Sequence, residues 1–397
     1  MTGALPLAGY RILSAEQYGA GPYGTMFLGQ LGAEVIKIEQ PGAGDSARAV
    51  GPHFLRENES LFFQSFNLNK RSLTLDLNTP EGKAILHRLA ASSHAVVNNL
   101  RGDLPGKIGL TYAHLKDANP ALVCAHLSAY GRDNERARWP GYDYLMQAEA
   151  GFMAMTGDPS APPTRFGLSI VDFMTGTMMA IGLLAALVDA QRSGQGRDVD
   201  VDLLSTAIHQ TSYPAMWYLN AGDITARTVR SAHPSVTPSQ MFPTADGSVF
   251  IMAQIPKFWT VLTEKIGRPE LAQDPRFLKP ADRTRNRDAL VAILDAVFAT
   301  KPTAYWIEAL GGHMPVAPVF SLDQALDNPY LRTTGMVDSV EHPDRAEMRV
   351  LANPIKIDGQ RLPNRAGPLL GNDTETVLAE AGYDAAEIAA FKDKGIV

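Results

Sequence analysis

The chain has one cysteine among its 397 residues, Cys124. A single thiol can neither close an intrachain disulfide nor build a cysteine zinc site. Positive charge is also in short supply: 36 Lys and Arg against 42 Asp and Glu leave a formal charge of −6. A broad basic surface is therefore not expected, and neither nucleic acid nor an anionic membrane is an expected partner. No basic segment followed by an apolar run opens the sequence, so its start reads as mature. The most apolar stretch, 178–188, falls short of the roughly 20 residues of a bilayer span and reads as a buried helix. A cytoplasmic location fits these absences. The nine histidines show no metal-ligand pairing at helical spacing, no G-x-S-x-G elbow is present, and no internal repeat or low-complexity tract appears. Metal and serine-hydrolase chemistry are thus not expected.

What is present is ordinary globular composition, 45% hydrophobic and 20% charged, on a chain long enough for more than one core. The first half alternates short apolar runs with helical patterns. Strands are expected over 10–13, 33–39, 72–77, 95–97 and 122–127, and helices over 22–31 and 80–92. That alternation implies an α/β unit with a mainly parallel sheet. A strong helix over 175–192 ends at Gly194, and a further helix is expected over 203–220. The stretch 222–238 is polar and broken by proline, and reads as a linker or loop. A second module follows, with a strand at 247–253 and helices at 259–266, 283–299 and 304–310. The run 316–319 reads as a return to the first layer, 355–357 as a strand, and 375–392 as a closing helix. The expected division is a large domain at 1–224, a small domain at 225–325, and a return to the large domain at 326–397.

One motif invites a dinucleotide reading. Gly19, Gly21 and Gly24 match G-x-G-x-x-G, and Glu39 ends the next strand where a ribose-binding acid would sit. Two details oppose it. Glu16, Gln17 and Tyr18 separate the strand from the first glycine, and Pro22 removes an N–H that would face pyrophosphate. A second segment, Gly102 to Lys107, is one residue short of a phosphate-binding loop and has Ile108 where a magnesium-binding hydroxyl belongs.

The informative block runs through Gly141, Tyr142, Asp143, Gln147 and Gly151 to Phe166, Gly167 and Asp172. Asp172 stands ahead of a long apolar helix, where the positive helix end favours a charged carboxylate by about 0.3–1 kcal/mol. Helix capping is the plain reading of such a residue. The block does not stand alone. It follows Ala33 to Glu39, Pro41 to Asp45 with Arg48, Asn67 to Ser72, and Asp76 with Thr79 to Gly82, and it precedes Ala317 to Val319 and Pro368 to Gly371.

In that order and at those spacings, the blocks resemble the class III coenzyme A transferases across essentially the whole chain. The resemblance implies an α/β fold: a Rossmann-like parallel-sheet large domain, a smaller α+β domain, and an interlocked ring-like homodimer. It makes Asp172 the covalent nucleophile, with an acyl-CoA and a free carboxylic acid as substrates and no permanently bound cofactor. Gly19 and Ala20 match the loop beside the thioester. Leu75, Asn99, Leu100, Lys107 and Ile108 match positions along the adenine and phosphate end, and Tyr130 one near the pantetheine arm. Tyr142 and His233 are the implied acyl-side contacts. Gln40 stands where some relatives carry Arg, and Leu100 replaces a common Phe. The related α-methylacyl-CoA racemases usually carry His at the position of Tyr142. A phenol ionises near pH 10 and is a poor base at neutrality, which favours transfer over racemisation. An acyl-CoA racemase, a nicotinamide-dependent dehydrogenase and a non-catalytic CoA-binding protein are the competing expectations. The acids themselves are not specified; a small dicarboxylate pair is expected on family frequency.

Overall fold

The computed structural model describes residues 4–397. Two compact units form, one from the N-terminal segment through Ala150 with Gly167–Ser212 and Pro329–Val397, the other from Gly151–Phe166 and Tyr213–Asn328.

The first unit is built on six parallel strands: β1 (Arg11–Ala15), β2 (Glu34–Glu39), β3 (Lys70–Thr74), β4 (Ala95–Asn98), β5 (Val123–Ser128) and β6 (Arg197–Asp202). Their order is β3-β2-β1-β4-β5-β6. It reverses direction between β1 and β4, which leaves a crevice at their carboxyl ends. Strands buried on both faces need continuous apolar runs. Leu13, Ile36, Leu73, Val96 and Cys124 supply them, and the core continues into Leu86 and Leu89 of a covering helix. The expected α/β class is borne out.

Helices α1 (Ala20–Gln30), α2 (Leu61–Asn67) and α3 (Pro80–Ala90) lie between the early strands, and α4 (Asp143–Glu149) follows β5. Helix α5 (Ile170–Ser193) is longer than expected. At 24 residues it is long and apolar enough to cross a membrane by composition, yet Val171, Thr175, Met179, Leu183, Ala186 and Ala190 form a buried seam. That seam packs against α1, β5 and β6, as in the core helix of a globular unit. α5 ends at Gly194 in the left-handed region, as the sequence indicates.

The α1–α5 crossing explains the dinucleotide-like motif. A Cβ on Gly24 would stand 2.4 Å from the Gly176 carbonyl oxygen, and one on Gly176 would stand 2.3 Å from that of Ala20. Gly24 of the motif and Gly176 let the two helix backbones touch, while a Cβ on Gly21 would meet the Asn99 side chain at 2.9 Å. The helix also begins at Ala20, so 19–24 is a helix start and not a free loop.

Helix α6 (Leu203–Gln210) closes this part of the chain. The single helix expected over 203–220 is interrupted at Ser212, which has φ 49°, and α7 (Tyr213–Ala221) belongs to the second unit. The second unit therefore starts at Tyr213 and takes in 151–166, where 225 was the expected start. It carries an antiparallel sheet of β7 (Ser239–Pro243), β8 (Ser248–Met252) and β9 (Val316–Pro318), covered by α8 (Pro256–Lys265), α9 (Arg287–Phe298) and α10 (Thr303–Leu310). β9 pairs with β8, so 316–319 does not return to the first layer; alternation within so short a run cannot name its partner strand. Phe242, Val249, Trp259, Leu262, Leu294 and Phe298 make a separate core.

Back in the first unit, β10 (Val337–His342) and β11 (Arg345–Leu351) form a hairpin that the sequence reading lacks. The strand expected at 355–357 is only a two-residue pair, Lys356–Ile357. The closing helix is two, α11 (Thr374–Glu380) and α12 (Ala385–Asp393), divided at Gly382 with φ 84°.

Candidate active site

The loops at the carboxyl ends of β1 and β2 are fixed by buried charge. Lys37 pairs with Asp45 at 2.8 Å and donates to the Glu16 carbonyl at 2.9 Å. Lys70 pairs with Glu16 at 2.8 Å, and Arg48 bridges Glu39 and Glu59 at 2.8 and 2.7 Å. Burial pulls the Lys37 ammonium toward neutrality, but the charges of Asp45, Glu16 and Glu39 outweigh it and raise its pKa. For Lys70 burial wins over Glu16, and the pKa falls to about 8. Asp45 also accepts from the Tyr18 N–H at 2.9 Å. Asn99, just past β4, grips the same loop from the other side. Its Oδ1 accepts from the Gln17 N–H at 2.8 Å, and its Nδ2 donates to the Gln17 carbonyl at 2.6 Å. Tyr18 is thereby held at φ 69°, a conformation few L-residues adopt freely.

This loop and the start of α5 face each other across a cavity of about 200 Å³. Gly19, Ala20, Asn99, Leu100, Tyr142 and Asp172 all line it. A Cβ on Gly19 would stand 3.0 Å from the Asp172 Oδ2, so glycine lets the backbone lie against the carboxylate. Ala20 opens α1 and its N–H has no partner within the helix. Asp172 lies inside the first turn of α5, not ahead of it, with Ser169 as the flanking residue. Its backbone N–H donates to Asp143 Oδ2 at 3.0 Å. Asp172 as a whole is 7% exposed. Burial, and then the Asp143 charge, push its carboxyl up to about 7. The helix end alone would favour the anion by at most about 2 kcal/mol; desolvation wins here. The expectation that the helix end favours a charged carboxylate is corrected accordingly.

A second cavity of about 170 Å³ shares Gln17 and Leu100 with the first, and Leu75, Ile108 and Gln40 line it. Together the two run along the ends of β1, β2 and β4. Two expected residues of the first unit line neither. Lys107 is exposed and pairs with Asp103 at 2.5 Å. Tyr130 donates to Glu149 at 3.2 Å and meets Trp139 edge-on. His233 belongs to the second unit. There it stacks on Tyr213 at 5.8 Å and accepts from the Ser235 N–H, and burial with the Arg287 charge lowers its pKa. The sequence reading assigned no role to Tyr18 or to the Asp143–Gln147 pair. The pair had a signal: four residues apart on one helix, two polar side chains share a face.

Tyr18, Trp139 and Tyr142 are the aromatic residues that line the cavity, and further rings pack behind them. Tyr18 packs on Phe62 and edge-on to Tyr142, and Tyr23 packs on Phe173, which follows Asp172. One buried carboxylate, a backbone pressed against it, and a crevice at the sheet's reversal point suit attack on a polarised carbonyl.

Three comparisons bear on this geometry. The family model for CoA-transferase family III matches residues 7–374. The succinyl-CoA:glutarate CoA-transferase of Mus musculus is 33% identical, over 99% of this chain and 90% of its own length. The succinyl-CoA:mesaconate CoA-transferase of Haloarcula hispanica is 32% identical, over 94% of this chain and 95% of its own. Among solved structures, Rv3272 from M. tuberculosis superposes with a TM-score of 0.84 at 30% identity, covering 94% of this chain and 99% of that one. A CAIB/BAIF family protein from Brucella suis gives 0.82 at 30%, covering 96% of this chain and 100% of that one. The chain is an enzyme of CoA-transferase family III.

Proposed function

We propose that the chain moves coenzyme A from an acyl-CoA thioester to a free dicarboxylic acid, with Asp172 as nucleophile. The observation that carries this reading is the buried Asp172 carboxyl, set in the first turn of α5 and against the Gly19 backbone. The relatives' dicarboxylate names, glutarate and mesaconate, support the substrate class.

The steps balance without an added reagent. An Asp172 oxygen attacks the thioester carbonyl; the C–S bond breaks and CoA leaves as thiolate. The thiolate attacks the aspartyl carbonyl of the anhydride, and the donor acid leaves as its carboxylate. The acceptor carboxylate then attacks the aspartyl-CoA thioester, and the released thiolate attacks the acceptor carbonyl of the new anhydride. Asp172 is regenerated. Dividing the exchange in this way lowers each barrier. The N–H groups of Gly19 and Ala20 are suited to the developing oxyanion. The joined cavities would take the CoA arm past Asn99 and Leu100 to Leu75 and Ile108, with Lys107 near a phosphate and Tyr130 near the arm. Tyr142 and His233 are the proposed acyl-side contacts. A homodimer is part of the same reading and rests on family resemblance; sedimentation tests it.

The experiment is intact-mass measurement after mixing with a panel of acyl-CoAs, followed by hydroxylamine trapping. An adduct on Asp172 that is absent from Asp172→Ala establishes the mechanism and names a donor. An unlabelled wild type that nevertheless exchanges CoA refutes the covalent role.

A further inference from the structure

The proposed reaction gives Asp143 no task, yet its side chain is buried and both of its oxygens accept hydrogen bonds. Asp143 opens α4 and is 3% exposed. Its Oδ2 accepts the Asp172 N–H at 3.0 Å, and its Oδ1 accepts from Gln147 Nε2 at 2.5 Å. Gln147 is fully buried and also donates to the Leu168 carbonyl at 3.1 Å, in the segment that leads into α5. One side-chain pair on α4 thus grips the turn of α5 that carries the nucleophile.

That turn needs such a grip. The first four N–H groups of a helix have no intrahelical partner. Ser169, in the capping position, makes no side-chain cap bond. Asp143 reaches across from another helix and satisfies the Asp172 N–H instead. A neutral Asn or Ser would cap as well. A carboxylate adds something those residues cannot: a second negative charge in a poorly solvated site. A like charge nearby makes the anion harder to form but more basic once formed.

We propose that Asp143, held by Gln147, is a positioning residue that caps the Asp172-bearing turn and whose charge tunes Asp172 as a nucleophile. The proposal rests on Asp172 being that nucleophile. The other ionisable groups around α5 are phenols or are held by partners of their own. Tyr18 faces Asp172 as a neutral phenol whose pKa is raised by burial first. On α1, Tyr23 packs on Phe173. On the sheet, His126 and Asp198 bond to each other at 2.9 Å, Asp200 is paired with Arg132, and Asp202 caps α6. The Asp143 charge is the one that adds to burial in raising the Asp172 carboxyl.

The test is the pH dependence of Asp172 adduct formation, using the acyl-CoA that labels the wild type. For wild type the acid limb is expected near pH 7. In Asp143→Asn it moves down by about one pH unit, and the plateau rate falls roughly three-fold because the carboxylate is less basic and the Brønsted slope is about a half. Asp143→Ser, also neutral, moves it the same way and serves if the Asn variant does not fold. Gln147→Leu keeps the charge, so its limb stays with wild type while its rate drops. A rate loss in both Asp143 variants with an unmoved limb overturns the tuning role and leaves a merely structural cap. A wild type that gives no adduct at any pH refutes the nucleophile reading first, and this inference with it.

Discussion

Replacing Asp172 with asparagine should stabilise the fold, and the gain should depend on pH. The residue is 7% exposed, and its carboxyl pKa stands at about 7 against an ordinary 3.8. At 1.36 kcal/mol per pH unit, that interval corresponds to at most about 4 kcal/mol. The sign follows from proton binding. Between pH 3.8 and 7 the folded chain holds a proton on Asp172 that the unfolded chain has released. Stability therefore falls as pH rises through this window. Below it the group contributes nothing to the difference between variants; above it the full penalty of a buried charge applies. Asn has nearly the same shape and never ionises, so Asp172→Asn escapes the penalty. Any offset from the amide's own hydrogen bonds is the same at every pH and leaves the slope intact. The assay is urea unfolding of both proteins at pH 5, 6, 7 and 8. The variant is expected to draw ahead by about 2–4 kcal/mol between the extremes, while losing all adduct formation. A stability difference that does not change with pH would falsify the buried-carboxyl account and place Asp172 among ordinary ionised aspartates.

Other expectations are more local. Gly19→Ala brings a methyl to 3.0 Å from Asp172 Oδ2; adduct formation should slow at least ten-fold with little change in the unfolding midpoint, which a stopped-flow trace and a melt together would check. Gly24→Ala forces α1 off α5 at a 2.4 Å approach, and calorimetry should register a loss of about 1–3 kcal/mol or more, typical of overpacking. Arg48→Met leaves Glu39 and Glu59 buried without their cation; the expected loss is about 3–5 kcal/mol, read by urea titration, and an unchanged midpoint contradicts it. Asn99→Asp replaces the donor to the Gln17 carbonyl with an oxygen, so the KM for the acyl-CoA should rise; an unaltered KM means the Gln17 clamp does not shape the cavity.

The sheet and the cavity were legible for different reasons. Short runs such as 95–97 and 122–127 suit strands buried on both faces, and their alternation with helical patterns implies the parallel arrangement. The Asp172 block pointed to the right helix, but its first turn was misplaced by several residues. Local propensity cannot tell Ile170 from Thr175 as a start when the cap comes from Asp143, 29 positions earlier. The break at Ser212 and the division at Gly382 each had a signal that the sequence reading passed over: Pro214 just after the first, and at the second Gly382 itself with the cap Asp384 two residues on. The hairpin Val337–His342 with Arg345–Leu351 was missed although Ala346, Met348 and Val350 alternate with Glu347 and Arg349; its strands are short, charge-rich and largely exposed, so few apolar side chains mark them. The ionisation of Asp172 was out of reach altogether. Sequence places a carboxylate at a helix end, which favours the anion, but only the packed structure reveals the opposing desolvation.

The loop that faces Asp172 is held from below by Lys37, Asp45, Lys70, Glu16, Arg48 and Glu39, all of them out of solvent. Such pairs lie beyond the reach of dissolved salt, so the shape of the site should not follow ionic strength. They also restrict how the protein can drift. Removing any one member strands its partner, whereas exchanging both for apolar residues of like volume can be neutral. Among descendants of this chain, these positions should therefore change two at a time or not at all.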